Sequence, residues 1–295
     1  MAVNRAVRRA IDVVIWEIPG HPRSRAVCRA MLEGILHSGD RAIVKSSLYY
    51  RIPEGRVGLF YGLAGRLVNA LVDYPRAGRS AIYADLGYWK RKDGGRYTGY
   101  HKLIVNGRHP TDYFQREPHP HDRLEALELD LKPSRRTQGA ILIAGMGPKG
   151  ARAEGFRVNQ WEQSVVDEIR KHTDRPIIYR PKPNWAEARP LEGASMPPVS
   201  GLLVDGLSDV RCVVSHHSNA NVEALCLGVP GFTLEGPALP LSLSTEELQF
   251  IETPRFVGYD ERRQWAADLA YTQFSIDEMK AGVAWRHLRD EGLVP

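Results

Sequence analysis

The sequence predicts an α/β protein of two Rossmann-like domains facing a cleft. Short apolar runs such as VVIWEI (13–18) alternate with stretches of helical periodicity. That alternation occurs twice, on either side of a polar, proline-bearing segment at 107–138. Strands separated by helices pair mostly in parallel, because each crossover returns the chain to the same end of the sheet. The expected division is 1–135 for an acceptor-binding domain, 136–260 for a donor-binding domain and 261–295 for closing helices.

VVIWEI is uninterrupted by polar residues, as a strand covered on both faces should be. After the turn GHPRS, Val27, Met31 and Ile35 recur every fourth residue over 24–38, and Gly39 stops that helix. RAIVKSS supplies the next strand. GLFYGLAGRLVNALVDYPRAG repeats the pattern with a helix near 62–72, and SAIYADLGYW (80–89) is a further strand. In the second half, GAILIAGMGPKG runs from a strand into a glycine-rich turn. Residues 158–171 place Trp161, Val165 and Ile169 on one helical face. PIIYRPKP and DVRCVVSHHSN read as strands, and SGLLVDGL fits either helix or strand. Ser244-x-x-Glu247 is a capping box that predicts a helix start, and 260–290 reads as helical.

At 295 residues and 43% hydrophobic, the chain can build two such cores. No apolar run approaches the roughly 20 residues that span a bilayer, and VVIWEI is too short for a signal-peptide core behind the basic MAVNRAVRRAID. Cys28, Cys212 and Cys226 form neither zinc spacing nor an even disulfide framework, so a soluble, reducing, cytoplasmic setting is expected. A formal charge of +5, with arginine concentrated at 5–9, 89–108 and 135–136, permits nucleic acid or an anionic ligand without requiring either.

Ligands of open parallel sheets sit beyond the carboxyl ends of the strands. At one such end, VVSHHSNANVEALCLGVPGF (213–232) breaks from a strand into a short helix at 220–227, capped by Ser218 or Asn219 and stopped by Gly228 and Pro230. Amides and dipole at that helix start suit a phosphate, His216 and His217 would wall the site, and Glu223 would accept from sugar hydroxyls. GMGPKG adds backbone donors at Gly145 and Gly147 with Lys149 beside them. RPKP projects Arg180 and Lys182 from a proline-stiffened stem. A capped core helix explains the first feature equally well by itself; three anion-suited strand ends together point to a diphosphate cradle. No G-x-G-x-x-G follows the first strand and no Gly-Lys-Ser/Thr follows GMGPKG, which argues against dinucleotide and Walker-type sites.

In the first half Asp85 ends an apolar strand, where a carboxylate can take a proton from an acceptor hydroxyl or simply cap a turn. Tyr88, Trp89, Tyr100 and His101 interleave with Lys90, Arg91 and Lys102, a mixture that suits phosphate neutralisation and base stacking or a solvated hairpin. His119-Pro-His121 lacks a third ligand at metal spacing, and Glu128-Leu-Asp130 reads as part of a charged surface helix, so no metal is expected.

HHSNANVEALCLGVP after a strand resembles the donor-site signature of GT-B glycosyltransferases. YADLGYW, GYHKLIVNGRHPTDYFQ, TDRPIIYRPKPNW and QWAADLAYTQFSIDEMKAGVAW resemble a bacteriophage family described as glycosyltransferases. The resemblance implies a metal-independent GT-B enzyme whose co-substrate is a nucleotide sugar, UDP-linked in the first instance, with no other cofactor. It places Ser218 and Asn219 on the diphosphate, Glu223 on the ribose and Arg180 and Lys182 on the phosphates. Asp85 becomes the base, by analogy with phage DNA β-glucosyltransferase, and the last helix returns to the N-terminal half. The leading expectation is transfer to a 5-hydroxymethylpyrimidine of double-stranded phage DNA in an infected bacterial cytoplasm, with residues 88–108 contacting DNA. A cell-surface glycan or lipid acceptor, and a non-enzymatic phage protein that binds nucleic acid, are the alternatives.

Overall fold

A computed structural model of the chain describes residues 10–91, 99–110, 114, 116–134, 136–183, 185–198, 207 and 209–295. Two compact units divide it: residues 1–110 with 271–295, and residues 111–270.

The first unit begins β1 (Asp12–Glu17), α1 (Pro22–His37), β2 (Arg41–Ser46), as the apolar pattern requires. His21 caps α1 by accepting the Ser24 N–H at 3.2 Å, and Pro22 occupies the first turn, where no amide partner is lost. Next come β3 (Val57–Tyr61), α2 (Ala70–Arg76), β4 (Ser80–Leu86) and β5 (His101–Val105). The helix expected near 62–72 is displaced: Gly62 and Gly65 both sit at positive φ, so only a 3-10 turn forms at Gly65–Asn69 before α2 begins.

β4 stops at Leu86 rather than running to Trp89. The chain returns as β5, antiparallel to β4, with Asp85 opposite Lys102. A second departure from the parallel expectation comes from the C-terminal segment. Residues 260–290 are not one helical stretch but α7 (Tyr259–Ala270), β10 (Gln273–Phe274), α8 (Ile276–Lys280) and α9 (Val283–Asp290). β10 pairs antiparallel with β5, giving the six-stranded order β10-β5-β4-β3-β1-β2. α8 and α9 pack on α1, burying Met279, Trp285 and Leu288 against Val27, Met31 and Ile35. β10, α8 and α9 therefore belong to the first unit.

The second unit holds α3 (Asp122–Ala126), β6 (Ala140–Ala144), α4 (Pro148–Ala153), α5 (Gln160–Ile169), β7 (Ile177–Arg180), β8 (Val210–Ser215), α6 (Asn219–Cys226), β9 (Gly231–Thr233) and α7. Its four strands are all parallel in the order β7-β6-β8-β9. α5 buries Trp161, Val165, Val166 and Ile169 on one face of that sheet, and α6 covers the other with Ala220 and Ala224.

Residues 111–135 and α7 group with the second unit, so the division falls after Pro110 and Ala270 rather than after 135 and 260. The reason is the buried Arg262 of α7, whose guanidinium donates to the carbonyls of Leu225, Lys132 and Val257. The Ser244–Glu247 box does form in part: Glu247 accepts the Ser244 N–H at 2.8 Å. It opens only a 3-10 turn at Leu248–Phe250, not an α-helix. SGLLVDGL lies outside the described residues except at Gly201-to-Gly206's neighbour Leu207, which is buried. No helix among the described residues is long and apolar enough to cross a membrane.

Candidate functional site

Because β6, β7 and β8 are adjacent and parallel, their carboxyl ends share one edge of the second sheet. GMGPKG leaves β6, RPKP leaves β7, and the double histidine leaves β8. The Gly145 N–H donates to the Arg180 carbonyl at 3.0 Å, tying the first two turns together. Gly147, at φ +77°, caps α4, and the Lys182 stem crosses directly over it: a methyl added to Gly147 would sit 3.5 Å from Lys182 Cγ. Arg180 is half-buried, while Lys149 and Lys182 are exposed.

Ser218, not Asn219, caps α6: its Oγ accepts the Ala220 N–H at 3.2 Å. The Asn221 N–H goes to the Ser218 carbonyl. Those two amides serve the cap, so the helix offers an anion mainly its dipole field. The Asn219 side chain donates to Glu223 Oε1 at 3.0 Å, one turn on, which orients the carboxylate at the rim of the same edge. His216 is buried against Trp161 and Phe156, and its Nδ1 shares a 2.9 Å hydrogen bond with Nδ1 of His217, so one ring carries the proton and the other accepts it.

Sequence reading missed three acids here. Glu162 is almost fully buried and accepts the Met146 N–H at 2.8 Å, clamping the glycine turn to α5. Its signal was an acid beside Trp161 on the apolar face of a helix. Glu154 ends α4 and Glu235 follows β9, and both converge on His216 from distant parts of the chain. No local pattern announces that meeting.

In the first unit Asp85 is half-buried at the carboxyl end of β4. Tyr83 Oη donates to its Oδ2 at 2.6 Å, and the Leu86 N–H donates to Oδ1 at 2.8 Å. Burial, and then the Asp85 charge, push the Tyr83 phenol far above its ordinary range, so it is a fixed donor. Lys102, buried opposite Asp85, lies 5.2 Å from the Tyr83 ring centroid and donates to the Arg108 carbonyl. Tyr83-Ala-Asp85 alternation on a strand is the pattern that could have revealed the tyrosine.

The basic-aromatic segment is not a solvated hairpin throughout. Tyr88, Trp89, His101 and Lys102 are each under 9% exposed. Gln273 Oε1 accepts the backbone N–H groups of Tyr88 and Trp89, so β10 holds this stretch down. Burial also pushes the His101 pKa down. Lys90 is exposed, Arg91 and Tyr100 are half-buried, and residues 92–98 lie outside the described residues. His119 and His121 bond to α7: His119 bonds Asp268 and His121 bonds Gln264. The surface helix expected around Glu128 ends earlier, at Ala126, and Glu128 itself has φ +50°.

The fold and the shared strand edge define the class: a mixed α/β protein with two sheets, of the GT-B-like type. Among the solved structures it resembles in fold are two named as transferases. KpsC β-Kdo 2,7 transferase of Thermosulfurimonas dismutans superposes with a TM-score of 0.56 at 14% identity, over 93% of this chain and 99% of that one. The KpsC β-Kdo 2,4 transferase of the same organism gives 0.53 at 12% identity, over 91% and 93%. At such identities the likeness is one of fold. No family model and no curated protein matches the chain.

Proposed function

We propose that this protein is a glycosyltransferase that takes a sugar from a nucleotide-diphosphate donor bound in its second unit. The observation that supports it best is the shared edge of β7, β6 and β8, where Arg180, Lys182, Gly145, Gly147 and the start of α6 lie on neighbouring strand ends. Cationic side chains and the Gly147 amide there would stabilise the diphosphate as it leaves, the moment at which its charge grows, while the Gly145 N–H, held by the Arg180 carbonyl, fixes the turn. Ser218 and Asn219 would border the diphosphate, and Glu223, held by Asn219, would accept from the ribose. Lys149 would add a mobile charge at the rim. In the first unit Asp85 would accept the proton of the acceptor hydroxyl, with Tyr83 holding one oxygen and leaving lone pairs on both.

For the acceptor, a glycan hydroxyl is the reading we favour. Two of its fold neighbours are named Kdo transferases, and the aromatic rings that would stack on bases, Tyr88 and Trp89, are buried. A 5-hydroxymethylpyrimidine in phage DNA is the second reading, supported by the net charge of +5 and the exposed Lys90.

Thermal unfolding with UDP-, GDP-, ADP- and CMP-sugars tests the donor. A donor at 100 times its Kd should add about 2.7 kcal/mol, and one base should stand out. A flat response across the panel, or one confined to the CMP-sugar, whose nucleotide carries a single phosphate, would refute the proposal. Transfer of radiolabelled sugar to oligosaccharides or to hydroxymethylated duplex then decides the acceptor.

A further inference from the structure

We propose that Glu154, His216 and Glu235 form a binding site for one divalent transition-metal ion, Mn²⁺ or Zn²⁺. Each residue offers one ligand atom, and the three atoms lie within 4.8 Å of one another. Metal–ligand bonds of about 2.0–2.2 Å place neighbouring ligand atoms roughly 3–4 Å apart, a spacing these three atoms approach. Both glutamates are half-buried, whereas His216 is buried.

His216 is 3% exposed and wedged edge-on between Trp161 and Phe156, with ring centroids at 5.4 and 6.1 Å. Its Nδ1 is engaged with His217, which fixes the ring and leaves Nε2 as the nitrogen that can bind a cation. The loop behind it is equally constrained. The Glu235 N–H donates to the His216 carbonyl at 2.8 Å, and the buried Thr233 hydroxyl bonds the carbonyls of both His216 and Glu235. One imidazole nitrogen with two carboxylate oxygens is a donor set that suits Mn²⁺ or Zn²⁺. Three protein ligands leave coordination positions open, as in catalytic rather than structural sites.

The ligands leave α4, β8 and β9 near the edge assigned to the donor. The open positions would take a phosphate oxygen of that donor; this role rests on the proposed function, while ion binding does not. The expectation of metal-independent chemistry would then be replaced.

The test titrates Mn²⁺ into metal-stripped protein without nucleotide, following the free-ion EPR signal, with Zn²⁺ measured by calorimetry. One ion per chain is expected, with affinity reduced 10–100-fold in Glu154→Gln and in Glu235→Gln. Variant folding is checked by unfolding in EDTA. Should either variant not fold, pulsed EPR of the Mn²⁺-loaded wild type decides, because His216 ligation gives a nitrogen coupling that carboxylates cannot. No binding of either ion, unchanged binding in both variants, or no nitrogen coupling overturns the site. Ion binding without any nucleotide-sugar response would uphold the site and refute the donor reading instead.

Discussion

Tyr83 donates its hydroxyl to Asp85 Oδ2 at 2.6 Å, two residues away on the same face of β4. The phenol is buried and bonded within one strand, so its position does not depend on any loop. On the proposed reading it positions the carboxylate that would act as base. Tyr83→Phe keeps the ring packing and deletes the donor. Transfer should slow about tenfold, roughly 1.4 kcal/mol, with donor KM unchanged and the acid limb of the pH–rate profile displaced. A change confined to donor KM would contradict this role.

Asp40 anchors the C-terminal segment to the first sheet. Its carboxylate accepts from the Ile11 N–H at 2.8 Å, Trp285 Nε1 at 2.7 Å and Arg289 at 2.7 Å, while its side chain is 1% exposed. Asp40→Ala leaves a guanidinium and two buried N–H groups without their acceptor, which should cost on the order of 3–5 kcal/mol. Urea unfolding measures it, and a loss below about 1 kcal/mol would show that water or a rearrangement replaces the carboxylate.

Gly147 tests the donor turn. An alanine there meets Lys182 only at ordinary contact distance, but φ +77° remains, so the strain is in the backbone. Gly147→Ala should lose about 1–2 kcal/mol and weaken donor binding more than Lys182→Ala does. Equal stability of the alanine variant would mean the turn relaxes freely.

The thiols report on both units. Burial pushes Cys28 of α1 and Cys212 of β8 up to about 12 from an ordinary 9.0. The folded state thus favours the neutral thiol. Each contribution is fully present below pH 9 and is lost as pH rises from 9 towards 12, where the unfolded chain ionises first. Native protein at pH 8 should resist thiol reagents and react only with denaturant, and the urea midpoint should fall between pH 8.5 and about pH 10.5. Rapid labelling of the native chain would show that these cores open.

The alternation of apolar runs and helical periods made the two-sheet α/β class legible, because each such pattern is local and sets which face of an element is buried. Glycine and proline punctuation likewise located the three turns after β6, β7 and β8, and Asp85 at the end of β4. Pairing partners were not legible. β10 is two residues long and carries no strand period, so its place beside β5 comes from tertiary contact alone, and that contact buries Tyr88 and Trp89 through Gln273. Sequence by itself determined where chemistry-bearing residues leave the strands. Only the tertiary structure decided which of them reach solvent and which distant acids, Glu154 and Glu235, meet His216, because burial and convergence depend on contacts between segments far apart in the chain.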